Sequence, residues 1–160
     1  MREQLVKWLE KILALLMALL VLDVIWQVVT RFLLNNPSSF TDELARYLLI
    51  WLGLLGAALV SGHKAHLAID LLSDRLRNPR SEKYLAIFIE AVVVVTSLSV
   101  MVFGGCKLVY TIWSLGQTST ALQVPLSVVY SIVPFSGLLI AYFAIEDIIS
   151  QTIKSEVNGD

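Results

Sequence analysis

The stretch SGHKAHLAIDLLSDRLRNPRSEKY, residues 61–84, decides how this chain is arranged, because it collects positive charge between long apolar stretches. Its cationic residues are Lys64, Arg75, Arg77, Arg80 and Lys83. The two other connectors, residues 35–41 and 114–124, contain no Lys or Arg. In membrane proteins, Lys and Arg accumulate in the cytoplasmic loops. The asymmetry therefore predicts that residues 61–84 face the cytoplasm and that the other two connectors face outward.

Four apolar stretches flank these connectors, and each is long enough to cross a bilayer. They are Ile12–Leu34, Leu44–Val60, Tyr84–Trp113 and Leu126–Ile149. A helix needs about 20 residues to cross roughly 30 Å of hydrocarbon. The chain is 57% apolar and only 16% charged, and within lipid a helix satisfies its own backbone hydrogen bonds. The sequence predicts an all-α integral membrane protein, a single domain over residues 1–160 with four transmembrane helices and both termini cytoplasmic.

Shorter patterns add detail to this topology. Apolar residues recur at helical spacing within residues 69–77, which predicts a short amphipathic helix lying on the cytoplasmic membrane surface. Pro134 and Gly137 fall inside the fourth stretch and predict a kink. The pattern Gly53-x-x-x-Ala57 permits close contact between helices. Helix N-caps favour small polar residues, so Ser39, Thr41 or Asp42 is expected to cap the second helix.

The sequence gives no sign of catalysis, of a cofactor or of nucleic-acid binding. Cys106 is the single cysteine, which excludes a CxxC redox centre. His63 and His66 have one carboxylate nearby, Asp70, whereas a metal site needs three or four ligands. Both histidines lie in a connector, so they are not placed to ligate a haem between helices. The net charge is −1 and no basic patch is present. We therefore expect no enzyme activity, no metal site, no cofactor and no nucleic-acid partner.

Asp23 is the intramembrane residue that most needs an explanation, because it lies at the centre of the first span. Asp23, Gln27 and Arg31 are spaced by four and share one helix face. A carboxyl group at the bilayer centre costs about 2.5–3.5 kcal/mol on insertion scales. Three interpretations remain open for Asp23: a hydrogen bond within this bundle, from its own proton or from the hydroxyl of Ser97 or Ser99; a contact with a second subunit; or a proton-carrying role.

The other charged groups lie nearer the membrane surfaces. Glu90 and Lys107 are 17 residues apart, about 25 Å along a helix, so each is expected to reach water at opposite interfaces. Arg31 stands level with Glu43 and Arg46 at the start of the second helix. Across such a short hairpin, the pattern predicts an Arg31–Glu43 ion pair.

Several motifs then occur in a recognisable order. They are Ser39–Arg46 (SFTDELAR), Trp51, Gly56-Ala57 and Gly62–Asp70 (GHKAHLAID), followed by Ser119–Pro125 (STALQVP), Tyr130 and Pro134. In order, spacing and topology this chain resembles the small membrane subunit (Q, or DctQ-like) of tripartite ATP-independent periplasmic (TRAP) transporters. It departs from the family pattern at Thr41, where an aromatic residue is common, and at Asp42, which stands for the first acid of a Glu-Glu pair.

The resemblance implies a multi-pass protein of the bacterial inner membrane that belongs to a secondary transport system. In such systems a periplasmic substrate-binding protein delivers an organic anion, of the carboxylate or sialic-acid type. A large membrane subunit then carries the anion inward by an elevator motion coupled to Na⁺. The small subunit is a static scaffold, so Na⁺ is expected at the large subunit and not in this chain.

We expect the contact with the large subunit on the first two helices. The candidate interface residues are Asp23, Gln27, Arg31, Glu43, Arg46, Trp51 and Gly56. One alternative is a self-sufficient small oligomeric transporter or channel in which Asp23 carries protons. Another is an assembly factor or a membrane anchor for an enzyme.

Overall fold

The computed structural model describes residues 2–33, 38–63 and 79–157. Its elements are α1 (Arg2–Phe32), α2 (Ser39–Gly62), α3 (Pro79–Thr96), a π-helical segment (Ser97–Gly104), α4 (Gly105–Ser114), α5 (Leu126–Tyr130) and α6 (Ile132–Val157). Helices α3 and α4 form the third span together with the π-helical segment, and α5 and α6 form the fourth. Four helical stretches are long and apolar enough to cross a membrane. The predicted all-α integral membrane fold is thereby confirmed.

The mixed-charge residues before the first apolar stretch belong to the same helix, since α1 begins at Arg2. The start of the second helix differs from the expectation. The N-cap of α2 is Ser38, whose hydroxyl accepts a hydrogen bond from the Thr41 amide at 3.5 Å. Ser39, Thr41 and Asp42 lie inside the first turn, so the predicted caps were wrong by one residue or more. The predicted amphipathic helix, with His66 and Asp70, lies outside the described residues.

Helix α6 is the element around which the other spans gather. Helix α1 packs along α2, while α2, α3 and the π-helical segment all pack against α6. The buried core consists of Leu9, Leu55, Ile132 and Phe143. Many other large apolar side chains point outward, among them Val100 and Phe103 of the π-helical segment. In water such a surface would be a liability, but on these four spans it is the surface that lipid covers.

Glycines allow the closest helix contacts, but not the glycines that the sequence pattern singled out. A Cβ at Gly137 would lie 2.6 Å from the Cβ of Met101, and a Cβ at Gly105 would lie 3.0 Å from the Cδ of Pro134. These two glycines bring the third and fourth spans together. A Cβ at Gly53 would meet nothing within 4 Å. The close contact that Gly53-x-x-x-Ala57 permits is therefore not made at Gly53 by any described residue of this chain.

The predicted kink in the fourth span is a break at Ser131, between α5 and α6. Pro134 has no backbone N–H, so it cannot donate to the carbonyl of Tyr130 four residues earlier, and its ring crowds that carbonyl. The indole Nε1 of Trp51 donates to the carbonyl oxygen of Val129 at 3.0 Å. A side chain of α2 thus provides a donor where the break disturbs the helix.

Arg2 bonds to two other helices at one end of the molecule. We call this the inner end, because it is predicted to face the cytoplasm. Its guanidinium donates to both carboxylate oxygens of Asp147, at 2.5 and 2.9 Å. It also donates to the carbonyl oxygens of Ser61, at 3.3 Å, and of Gly62, at 3.0 Å, and lies 5.5 Å from the ring centre of Phe143. One cation therefore joins α1, the C-terminal end of α2 and α6. The opposite end, with Phe32, Ser39 and Ser114, is the outer end.

Candidate partner-subunit interface

The hairpin of α1 and α2 carries every residue predicted to contact a partner subunit. These side chains do not form one continuous surface. Some make contacts within the chain, and others are left without such contacts. Their contact with a partner subunit remains a prediction.

Asp42 organises a small polar network at the outer end of the hairpin. Its Oδ1 accepts a hydrogen bond from Gln27 Nε2 at 3.4 Å, and its Oδ2 pairs with Arg46 at 3.1 Å. As an acid in the first turn of α2, Asp42 also suits the positive end of the helix dipole. The Arg46 and Asp42 side chains are 66% and 59% exposed, and exposed ion pairs of this kind contribute little to stability. The network links α1 to α2 without fixing them rigidly.

Arg31 takes no part in the ion pair predicted for it. Its guanidinium lies 5.7 Å from the ring centre of Phe32. With Gln27, Ser38 and Asp42 it lines an open cleft of about 380 Å³ at the outer end. The predicted Arg31–Glu43 pair was wrong, because the carboxylate of Glu43 points to a different part of the chain.

Glu43 binds the outer connector between the third and fourth spans. The hydroxyls of Ser119 and Thr120 donate to its two oxygens, the second at 2.6 Å. The backbone amides of Ala121 and Leu122 donate to Oε2 at 3.1 and 3.2 Å. Backbone N–H groups only donate, which matches an ionised carboxylate. Glu43 therefore holds α2 against a loop more than 70 residues away along the chain.

The loop that Glu43 holds has a defined shape of its own. Thr118 and Pro125 form an isolated antiparallel bridge, and the Ser119 amide donates to the carbonyl of Val124 at 2.9 Å. Two residues adopt positive φ, Gly116 at +60° and Gln123 at +54°. Glycine occupies this region freely, while for glutamine it is uncommon. The loop is thus closed tightly enough that its donors converge on one carboxylate.

Trp51 and Gly56 have different roles within the predicted set. Trp51 is engaged inside the chain, through its hydrogen bond to Val129. A Cβ at Gly56, as at Gly53, would meet nothing within 4 Å. Small residues at such positions allow two helix backbones to approach closely. The open side of α2 at Gly53 and Gly56 has room for a helix that is not part of this chain.

Asp23 is buried, with 8% of its surface exposed, yet its Oδ2 has no hydrogen-bond partner among the described residues. The two hydroxyls considered as partners are used elsewhere. Ser97 donates to the carbonyl of Val94 at 3.1 Å, and Ser99 donates to that of Val95 at 2.6 Å. A buried polar atom without a partner is rare in a native structure and calls for an explanation.

Two further expectations about charged residues change. Glu90 is 3% exposed, so the prediction that it reaches water at an interface was wrong, whereas Lys107 is exposed. His63 Nε2 lies 3.1 Å from Glu10 Oε1, which joins α2 to α1 at the inner end. Within the described parts of the chain, no three His, Cys, Asp or Glu side chains gather in a way that could hold a metal.

Sequence reasoning missed two long-range contacts of the structure. One joins Glu43 to the outer connector, and the other joins Arg2 to Asp147. Ser119 and Thr120 were noted only as motif residues, although two adjacent hydroxyls in an uncharged loop signal that an acceptor lies nearby. The pairing of Arg2 with an acid of the fourth span was not predicted. Asp147, the acid near the end of the fourth span, was the residue that could have indicated its partner.

These features define the class of the chain: a multi-pass α-helical membrane protein in which Arg2, Glu43 and Trp51 join distant parts of the bundle. Its family follows from comparison with known sequences. The family model for "Tripartite ATP-independent periplasmic transporters, DctQ component" matches residues 20–153. The chain belongs to this DctQ family, as the resemblance predicted.

Individual relatives agree with the family. A protein of Vibrio cholerae named "Sialic acid TRAP transporter small permease protein SiaQ" is 33% identical over 105 residues, which cover 65% of this chain and 60% of that protein. A "Putative TRAP transporter small permease protein" of Haemophilus influenzae is 37% identical over 70 residues, 44% of each chain. An "Isethionate TRAP transporter permease protein DctMQ" of Oleidesulfovibrio alaskensis is 27% identical over 112 residues, 70% of this chain but 17% of that protein. The chain thus spans 60% or less of the length of each of these relatives.

Proposed function

We propose that this chain is the small scaffold subunit of a Na⁺-coupled TRAP transporter in the bacterial inner membrane. The transported substrate is an organic anion, of the carboxylate or sialic-acid type, which a periplasmic binding protein delivers. The large membrane subunit carries the anion and binds Na⁺. This chain packs beside the large subunit, holds no cofactor and catalyses no reaction.

The observation that carries this proposal is the match to the DctMQ permease protein. The matched region is 70% of this chain but only 17% of that relative, whose name joins the Q component to a second one. In that relative, the Q-like region and a far larger permease part belong to one chain, so the two parts stay next to each other. The same arrangement, with two separate chains, is what we propose here.

The contacts within the chain support a scaffold rather than a carrier. Its ion pairs between described residues lie at the two ends, at Arg2 and His63 on the inner side and at Arg46 on the outer side. Glu43 and Trp51 fasten one span to another. A transporter needs polar groups that converge on a substrate site near the middle of the membrane. Polar side chains that bond one helix to another part of the bundle instead favour the interpretation that this chain is a rigid scaffold.

Asp23 is the one feature that favours the alternative, a small oligomeric transporter or channel. Its unpartnered Oδ2 lies midway along the first span, where a carboxyl group able to release a proton would be useful. A proton path, however, needs further titratable groups that continue toward both surfaces. We therefore keep Asp23 in the proposed interface with the large subunit. Because Asp23 is buried within this chain, its own proton satisfies the carboxyl group unless the helices move apart there and admit a donor from that subunit.

Assembly tests the proposal directly. The tagged chain, expressed with the large permease subunit of its own system, is expected to co-purify with it. The variant Gly56→Leu should lose most of the large subunit, because it fills an open side of α2 without a clash inside the chain. The matched control is Gly104→Leu on the third span, where a Cβ has no neighbour closer than 3.9 Å. Full recovery of the large subunit with Gly56→Leu would remove this face from the interface, and no co-purification of the unaltered chain would overturn the scaffold proposal.

Orientation is tested by thiol labelling in a Cys106→Ser background. The positive charge of residues 61–84 supports the proposal that both termini and this connector lie in the cytoplasm. Cysteines introduced as Ser38→Cys and Gln117→Cys should react with an impermeant reagent in cells whose outer membrane is permeabilised. Ser81→Cys should react only after the inner membrane is opened. Early labelling at position 81 would reverse the proposed orientation.

A further inference from the structure

An apolar groove of about 470 Å³ opens on the side of the bundle, between the first part of α1 and the fourth span. Leu5, Trp8 and Ile12 form one wall, and Ile132, Phe135 and Leu139 form the other. Trp51 and Leu55 of α2 also line it. The volume falls in the range of ligand-sized clefts, roughly 300–1,000 Å³. The groove therefore has the size of a binding site for an elongated molecule.

The lining of the groove selects an apolar occupant. Among the described residues that line it, Ser131 is the only polar one, and its hydroxyl already donates to the carbonyl of Val128 at 2.7 Å. The indole N–H of Trp51 is likewise taken by the carbonyl of Val129. The remaining polar group of the described lining is the indole N–H of Trp8, a residue that is 67% exposed. The rest of the lining is apolar, and apolar cavities do not hold water well. A hydrocarbon chain fits this surface.

A positive charge stands beside the groove. The Nζ of Lys11 lies 6.0 Å from the ring centre of Trp8, whose exposed indole forms part of the groove wall. Lysine side chains on a helix lean toward its N-terminus, here the inner end, so the ammonium group reaches down toward the membrane surface. Lys11 has no ion-pair partner in the described part of the chain. A tryptophan with a free lysine beside it is the combination that meets phospholipid headgroups.

We propose that this groove binds one acyl chain of an anionic phospholipid from the inner leaflet, with the lipid phosphate at Lys11. The acyl chain runs from Leu5 and Leu139 toward Trp51 and the helix break at Ser131. This site is separate from the Gly53 and Gly56 side of α2 and does not depend on the proposed transport function. The bound chain would fill the space that α1 and the fourth span leave between them.

Fluorescence quenching by brominated lipids tests the proposal, because Trp51 lines the groove. The full chain keeps Trp51 as its only tryptophan, through Trp8→Tyr, Trp26→Phe and Trp113→Phe, and is placed in nanodiscs of phosphatidylethanolamine and phosphatidylglycerol. Tyrosine at position 8 keeps an aromatic ring with a polar edge beside Lys11. A small fraction of the lipid carries bromine, on phosphatidylglycerol in one series and on phosphatidylcholine in the other. A second variant keeps only Trp113, which is 72% exposed and reports on bulk lipid. We expect Trp51 to be quenched about fivefold more effectively by the anionic lipid, the preference that one lysine near an anionic surface provides.

The substitution Lys11→Gln should remove this preference at Trp51, while Lys107→Gln, an exposed lysine on α4, should leave it intact. Both are surface changes, so the fold is retained. The proposal is overturned if neither lipid quenches Trp51, or if Trp51 and Trp113 respond alike to the two lipids. It is also overturned if Trp51 loses its quenching once the large permease subunit is bound, because that subunit would then be the occupant.

Discussion

The contact between the third and fourth spans and the open side of α2 use the same residue type in opposite ways. At Gly105 and Gly137 the space that a side chain would need is already filled by the neighbouring helix, at 3.0 and 2.6 Å. At Gly53 and Gly56 that space is empty to at least 4 Å. We call Gly105 and Gly137 filled glycines, because a neighbouring helix occupies the space of a Cβ, and Gly53 and Gly56 open glycines. A filled glycine allows two helices of this chain to pack closely. An open glycine on an apolar membrane helix is available to a helix from another chain.

The two unusual acids of the hairpin repeat this contrast. Glu43 receives four donors, two hydroxyls and two backbone amides. Asp23, about six turns of helix away from the inner end, has one oxygen that receives none from the described residues. Glu43 is therefore a structural acid that closes the outer end. Asp23 is left for a proton or for a partner.

Substituting one glycine from each region should give the largest difference. Gly137→Ala places a methyl group against Met101 and should lower the free energy of unfolding by about 1–3 kcal/mol, the usual cost of overpacking. Gly53→Ala meets no neighbour and should be neutral or stabilising by about 0.5–1 kcal/mol, since alanine is the better helix residue. Unfolding of the isolated chain in detergent measures both. Equal effects at the two positions would break the distinction between filled and open glycines.

Removing the acceptor at the outer end should have the next largest effect. Glu43→Ala leaves the Ser119 and Thr120 hydroxyls and two loop amides without their acceptor, so the melting temperature should fall and loop amides 119–122 should exchange faster with solvent. Asp42→Ala is the matched control, because the Asp42 carboxylate, one residue before Glu43, bonds to the half-buried Gln27 and the exposed Arg46 and to none of the described loop residues. It should leave the loop amides unchanged. If exchange at residues 119–122 is the same in both variants, Glu43 does not hold the loop.

Asp23 should affect the complex and leave the isolated chain almost unchanged. Asp23→Leu removes an acid that has an unsatisfied oxygen in this chain, so the melting temperature of the chain alone should stay the same or rise. If the large subunit supplies the missing donor, that donor loses its acceptor, and the complex should weaken by about 1–3 kcal/mol. Dissociation measured for the purified complex reports this change.

Asp23→Asn separates the two roles left for this residue. Asparagine keeps the shape and accepts hydrogen bonds but cannot carry a proton. Retained transport with Asp23→Asn fits an interface role. An intact complex with no transport would instead favour the proton carrier.

The fold was largely predictable because its main determinants are local. The lengths of the apolar stretches predicted the four spans, and Pro134, which has no backbone N–H, predicted the break at Ser131. The start of the third helix was less accurate, since α3 begins at Pro79, before the apolar stretch that begins at Tyr84. The π-helical segment at Ser97–Gly104 had no recognisable signal at all.

The candidate site was harder to predict because its contacts join residues that are far apart in the sequence. The hairpin distance made Arg31 the natural partner of Glu43, yet the four donors of residues 119–122 are the better match for a carboxylate. Spacing along one helix also could not tell which glycines face a neighbour, since that depends on how α2, the π-helical segment and α6 are packed. Motif order succeeded where pairing failed, because a family pattern does not require knowledge of individual contacts.

Transport by reconstituted protein tests the central claim most directly. Liposomes would contain this chain alone, the large permease subunit alone, or the complex of both, with an inward Na⁺ gradient and the binding protein loaded with its organic anion outside. The scaffold account predicts uptake above empty liposomes for the complex and none for this chain by itself, under either a Na⁺ or a proton gradient. Uptake by the isolated chain would contradict the account and establish it as a transporter in its own right.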